Sequence, residues 1–167
     1  MNLIDSIVQE YEMEMATTRK VLERVPTEHL NFKPHPKSMS LGGLASHLAE
    51  AQSWGVLTAQ LDEFVMDPAQ YKPFVGKDKD AILAEFDKNV KEAVAAMKPL
   101  SNEALMRTWT MKSPDGTVFL QMPKIAVLRA FVISHAIHHR GQLTVYLRMK
   151  DVPLPQVYGP TADETAM

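Results

Sequence analysis

The chain has 167 residues, 46% of them apolar, with a formal net charge of −2; this suits a single domain, 1–167, with a sizeable core. The near-neutral charge and scattered Lys and Arg argue against nucleic acid as a partner, because such affinity comes largely from neutralising phosphates. Cysteine is absent, which excludes disulfides, thiolate metal ligands and a cysteine nucleophile.

Residues 2–24 are predicted helical, because Ile4, Ile7, Tyr11, Met15, Thr18 and Leu22 recur every three or four positions. This opening lacks the charged start and apolar run of a signal peptide. Pro26 ends the helix. The breaker-rich NFKPHPKSMS follows, and His29 and His35 fall in this region as surface residues. Ser40 is the expected N-cap of a helix over 41–60, with Leu44, His47, Ala51, Trp54 and Thr58 on one face. Residues 61–78, with Pro68, Pro73 and Gly76, read as an irregular connection. Asp78 or Asp80 opens a third helix to about residue 98. Ile82, Phe86, Val90, Val94 and Met97 form its inner face. Pro99 stops it, and Ser101 caps a short turn in SNEALM.

RTWTMKSPDGTVFLQM alternates apolar and polar residues around SPDG, which predicts a small β-hairpin. Pro123 begins a last helix to about residue 150, with Leu128, Phe131, His135, His139, Gln142 and Tyr146 on one face. The tail, 152–167, is Pro-rich and irregular. No stretch approaches the roughly 18–20 apolar residues of a spanning helix, so a soluble cytoplasmic protein with no membrane partner is expected. Four long amphipathic helices and a minor hairpin define the fold class as all-α, a four-helix bundle.

The strongest chemical signal is SHAIHHRGQL. A helix turns about 100° per residue, so His135 and His139 differ by about 40° and can reach one ion. His138 lies about 60° from His135, so a His135–His138 pair is also geometrically allowed. A third ligand should come from another helix, and His47 sits mid-stripe between Leu44 and Ala51. Burying an unpartnered imidazole there would cost on the order of 1–3 kcal/mol; one divalent ion would relieve all three rings. Three neutral imidazoles leave coordination positions open, the mark of a reactive rather than a closed structural site. Imidazole suits zinc, nickel, copper and iron alike. Glu50 reads as an exposed helix carboxylate, with a second role as base or ligand support weighed beside it. Arg140 points away from the histidine line and is better placed for a salt bridge or subunit contact.

The mid-helix histidine of LGGLASHLAEAQSW, followed by SHAIHHRGQLTVYLR and VPLPQVYG, resembles the DinB-like family of metal-dependent enzymes over nearly the whole chain. The resemblance implies a four-helix bundle in up-down-down-up order, a homodimer, and a zinc or nickel ion on His47, His135 and His139. It gives His138 no ligand role. Branches of the wider superfamily transfer small thiols, as bacillithiol S-transferases and mycothiol-dependent maleylpyruvate isomerases. The functional expectation is therefore a metal-dependent S-transferase acting on a small-molecule substrate with a low-molecular-weight thiol. The alternatives are a metal-dependent hydrolase, for which Glu50 is the candidate base, and a non-enzymatic metal-binding stress-response bundle.

Overall fold

The computed structural model describes residues 2–165. Helix α1 (Leu3–Leu22) buries Ile4, Ile7, Tyr11, Met15, Thr18 and Leu22, the stripe that their spacing requires. A 3-10 turn at Thr27–His29 and a loop lead to α2 (Leu41–Glu50). The Ser40 hydroxyl accepts from the Gly43 amide at 3.0 Å, satisfying a donor that every helix start leaves unpaired.

The single helix expected over 41–60 is in fact two. After α2 the chain turns at Ala51 and Gln52 before α3 (Ser53–Gln60). No Pro or Gly marks this break. What marks it is Gln52, a buried amide that accepts from the Tyr11 hydroxyl at 3.2 Å and donates to the Leu48 carbonyl at 2.9 Å. Helix α3 lies against α4 (Lys79–Met97) so closely that a Cβ at Gly55 would stand 2.8 Å from the Ala93 Cβ. Asp78 starts α4, its carboxylate accepting from the Ala81 amide at 2.8 Å. The buried face of α4 is Ile82, Phe86, Asn89, Ala93 and Met97, with Val90 and Val94 at its border.

A short helix, α5 (Asn102–Met106), is capped by Ser101. The expected hairpin follows: β2 (Thr108–Lys112) pairs antiparallel with β3 (Val118–Pro123). Gly116 turns it at φ 89°, a left-handed conformation that glycine adopts without strain. The connection expected to be irregular holds a third strand, β1 (Glu63–Val65), parallel to β2. Under this sheet a second core gathers Trp109, Met111 and Val127, with Trp54, Phe64 and Phe131 around them.

The last helix departs from continuous α geometry. It runs as α6 (Lys124–Val127), a π-helical segment (Leu128–Ile133) and α7 (Ser134–Arg148). The Ser134 amide reaches back to the Arg129 carbonyl, the wider spacing of a π turn, a feature that recurs beside functional residues. It ends just before His135. Leu128 and Phe131 therefore do not set the phase of α7. Its buried face is Ala136, Arg140, Leu143 and Leu147, about 100° from the expected His135–His139–Gln142–Tyr146 line. The histidines sit at the rim of the core, half-buried, and Gln142 is exposed.

Side-chain pairs fix the topology. Glu10 and Glu14 of α1 pair with Arg129 and Arg140, so α1 and the last helix run parallel. Arg19 pairs with Asp87, and Glu12 with Lys98, so α1 and α4 are antiparallel. Ala49 and Gly55 meet Asn89 and Ala93, so α2 and α3 run with α4. The order is up-down-down-up. The tail up to residue 165 is irregular but fastened: Arg24 pairs with Glu164, Arg148 with Asp163, and the Tyr158 hydroxyl donates to Glu14. Residues 166 and 167 lie outside the described residues. Among the described residues no helix is long and apolar enough to cross a membrane.

Candidate metal centre

Antiparallel packing of α2 on α7 brings His47 to His135 and His139. The His135 Nε2 stands 3.2 Å from His47 Nε2 and 2.6 Å from His139 Nε2. One nitrogen of each ring lies within 4.8 Å of the others. All three expected ligands thus converge through one type of atom. His138 does not join them: it is exposed, and its ring packs on the flank of His139 at 4.9 Å.

The surroundings keep these rings neutral. Burial is the main cause that lowers the pKa of each, because a half-buried imidazolium loses hydration. His135, with His139 and His47 on either side, is pushed down to about 4, against a smaller upward pull from the Phe131 backbone. For His47 the nearby Glu50 charge works upward, and for His139 the Gln142 hydrogen bond does. At neutral pH three uncharged imidazoles therefore face one another with no carboxylate among them.

That donor set fits a divalent cation. Nitrogens around a tetrahedral zinc stand about 3.3 Å apart; the 3.2 Å pair matches this spacing, and the 2.6 Å pair would widen to admit an ion. Without a cation, each of these contacts is a hydrogen bond only where one of the two nitrogens carries a proton.

Two features around the triad have no clear sequence signal. The first is an aromatic wall: Phe131 lies 5.9 Å from His135 and 5.8 Å from Trp54, which in turn packs on Phe64 and Trp109. Trp54, expected on one face with His47, packs half-buried against both cores. Beside this wall a recess of about 360 Å³ is lined by Ala130, Phe131, Ser134, His135 and His138. A groove of about 390 Å³ between α1 and α4 holds none of the histidines. The second feature is Tyr71, whose hydroxyl donates to Glu50 at 2.8 Å, one helical turn beyond His47. Burial, then Glu50, pushes the Tyr71 hydroxyl up to about 12. Arg140 forms the salt bridge expected of it, with Glu14 at 2.8 Å, yet it is buried rather than peripheral.

The fold and the site define a class: a small helical bundle whose two facing helices present three histidines that could hold a metal ion. Residues 1–166 match the family model described as the DinB family. The chain belongs to that family. It is 28% identical over 163 residues to the uncharacterized protein YrdA of Bacillus subtilis, covering 98% of this chain and 92% of that one. The crystal structure of a DinB-like protein from Bacillus cereus superposes with a TM-score of 0.73 at 24% identity, covering 92% of this chain and 97% of that one. YfiT from Bacillus subtilis, described as a probable metal-dependent hydrolase with an unusual four-helix bundle topology, superposes with a TM-score of 0.66 at 16% identity, covering 89% and 88%. The two structural likenesses concern the fold.

Proposed function

We propose that this chain is a metal-dependent transferase that activates a low-molecular-weight thiol on a zinc or nickel ion held by His47, His135 and His139. The observation that carries this reading is the convergence of three neutral Nε2 atoms at the half-exposed rim of the bundle. When bound, a divalent ion supplies Lewis acidity there, lowering the pKa of a thiol or water brought to it. Three neutral ligands leave the ion's full charge for an anionic nucleophile. Thiol transfer asks least of the surroundings: the thiol proton passes to solvent, sulfur bonds to an electrophilic carbon, and the leaving group takes the bonding pair. Phe131, Ser134 and His138 offer a recess beside His135 for a small electrophile.

A second reading is hydrolysis. The Glu50–Tyr71 pair one turn beyond His47 favours it, as does the description of YfiT. Incubating zinc- or nickel-loaded protein with thiols and a model electrophile tests the first reading, with turnover expected to disappear in His135→Ala. No rate above background and no thiol binding by calorimetry would refute it. Ester hydrolysis lost in Glu50→Gln, without thiol transfer, would establish the second.

A further inference from the structure

Within HHRGQ, Gln142 is the residue that the metal reading leaves without a task. It follows His139 by three positions on α7, so the two side chains share a stretch of helix surface. Its Oε1 stands 2.8 Å from His139 Nδ1. A neutral imidazole carries one proton on one of its nitrogens, and the protonated nitrogen offers no lone pair. An amide oxygen only accepts hydrogen bonds. It therefore holds the proton on Nδ1 and leaves Nε2, the atom facing His135 at 2.6 Å, free to ligate. In water a histidine side chain favours the opposite tautomer, with its proton on Nε2. Left to solvent, His139 would present an N–H to the centre.

We propose, on the footing of the metal reading above, that Gln142 is a positioning residue that selects the Nε2-ligating tautomer of His139 before an ion arrives. His135 has a backbone partner in Phe131, which no substitution of a side chain removes. Gln142 is a side chain, so its contribution can be deleted. It is also exposed, and an exposed hydrogen bond adds little to folding because water replaces it. The contribution belongs in the affinity for the ion, where outer partners of ligand histidines are typically worth about 10–100-fold.

The test is nitrogen-15 NMR of the histidine rings in the metal-free full chain above neutral pH, paired with zinc titration of the same samples. The wild type is expected to show His139 protonated on Nδ1. Gln142→Ala moves the proton toward Nε2 and weakens zinc binding about 10–100-fold, with the melting temperature unchanged. Gln142→Glu, an acceptor in the same place, restores both tautomer and affinity. A wild-type proton on Nε2, with the amide presenting its NH2 group, overturns the proposal; so does a Gln142→Ala variant whose tautomer and affinity stay as they were. A tautomer switch in a protein that binds no zinc upholds the role of Gln142 and refutes the metal reading instead.

Discussion

His139 and Arg140 are neighbours on α7, and they show two opposite ways of placing a polar group in a bundle. Arg140 is 1% exposed and meets its opposite charge: Nη1 lies 2.8 Å from the Glu14 carboxylate, 3.1 Å from the Glu14 carbonyl and 3.3 Å from the Thr18 hydroxyl. Among the described residues its Nη2 has no hydrogen-bond partner, and the Tyr158 ring lies 5.1 Å from the guanidinium carbon. Burying that charge is costly, and nearby opposite charge and acceptors offset the cost. His139, half-buried, meets His135 and His47, groups of its own kind whose positive forms repel it. The first arrangement finds its counter-charge within the chain and ties α1 to α7. The second gathers three nitrogen donors with no counter-charge, a group that could hold a cation.

This contrast can be broken at four points, in order of decreasing effect. His47→Ala, His135→Ala and His139→Ala should each abolish tight zinc binding in a calorimetric titration, while His138→Ala leaves it largely intact. Their metal-free forms should melt near the wild type, because each ring is only half-buried and its loss leaves no opposite charge unpaired. Arg140→Ala should do the reverse. Its effect is a loss of about 3–5 kcal/mol in urea unfolding, since it removes the opposite charge of the largely buried Glu14 carboxylate. Weak destabilisation by Arg140→Ala would show the ion pair to be incidental.

Acid should then separate the clusters. The His135 pKa is lowered to about 4 in the folded state against an ordinary 6.5, so between these values the unfolded chain binds more protons. Stability contributed by the neutral ring is present above that window and is lost as pH falls through it. The melting temperature of the metal-free protein should decline from pH 6.5 toward about 4, and His135→Ala should flatten the decline. Zinc affinity should fall in the same direction, because protons compete for the same lone pairs. The smallest effect is expected from Tyr158→Ala, about 0.5–1 kcal/mol from loss of its contact with Arg140. In an Arg140→Ala background only the part owed to the Tyr158 hydrogen bond with Glu14 should remain.

Much of this was legible in the residues, for identifiable reasons. The α1 stripe, the caps at Ser40, Asp78 and Ser101, and the hairpin around SPDG rest on local chemistry, and the structure has them. The three histidines could be named because helical phase pairs His135 with His139 and an apolar stripe frames His47. The family resemblance, rather than phase, set His138 aside. What escaped depends on contacts distant in sequence. Strand β1 is three residues long and gains its partner from β2. The α2–α3 break centres on Gln52, whose partner Tyr11 lies on another helix. The π segment carries no composition signal, and it disconnects Leu128 and Phe131 from the phase of α7. Arg140 was expected to form a salt bridge or a subunit contact, and its burial, like that of Lys124, has no local signal. Both are 1% exposed, with Lys124 donating to the Ala59 carbonyl at 3.3 Å and pairing with Asp62 at 2.7 Å; neither partner can be inferred from the local sequence.

The central claim is that three imidazoles hold one ion. X-ray absorption at the zinc edge, on full-length protein reconstituted with zinc, tests it most directly. Three imidazole nitrogens at about 2.0–2.1 Å with a water oxygen completing the sphere, reduced to two imidazoles in His47→Ala but unchanged in His138→Ala, is the result the account requires. An ion held by carboxylates, or one whose imidazole count is indifferent to His47, would contradict it.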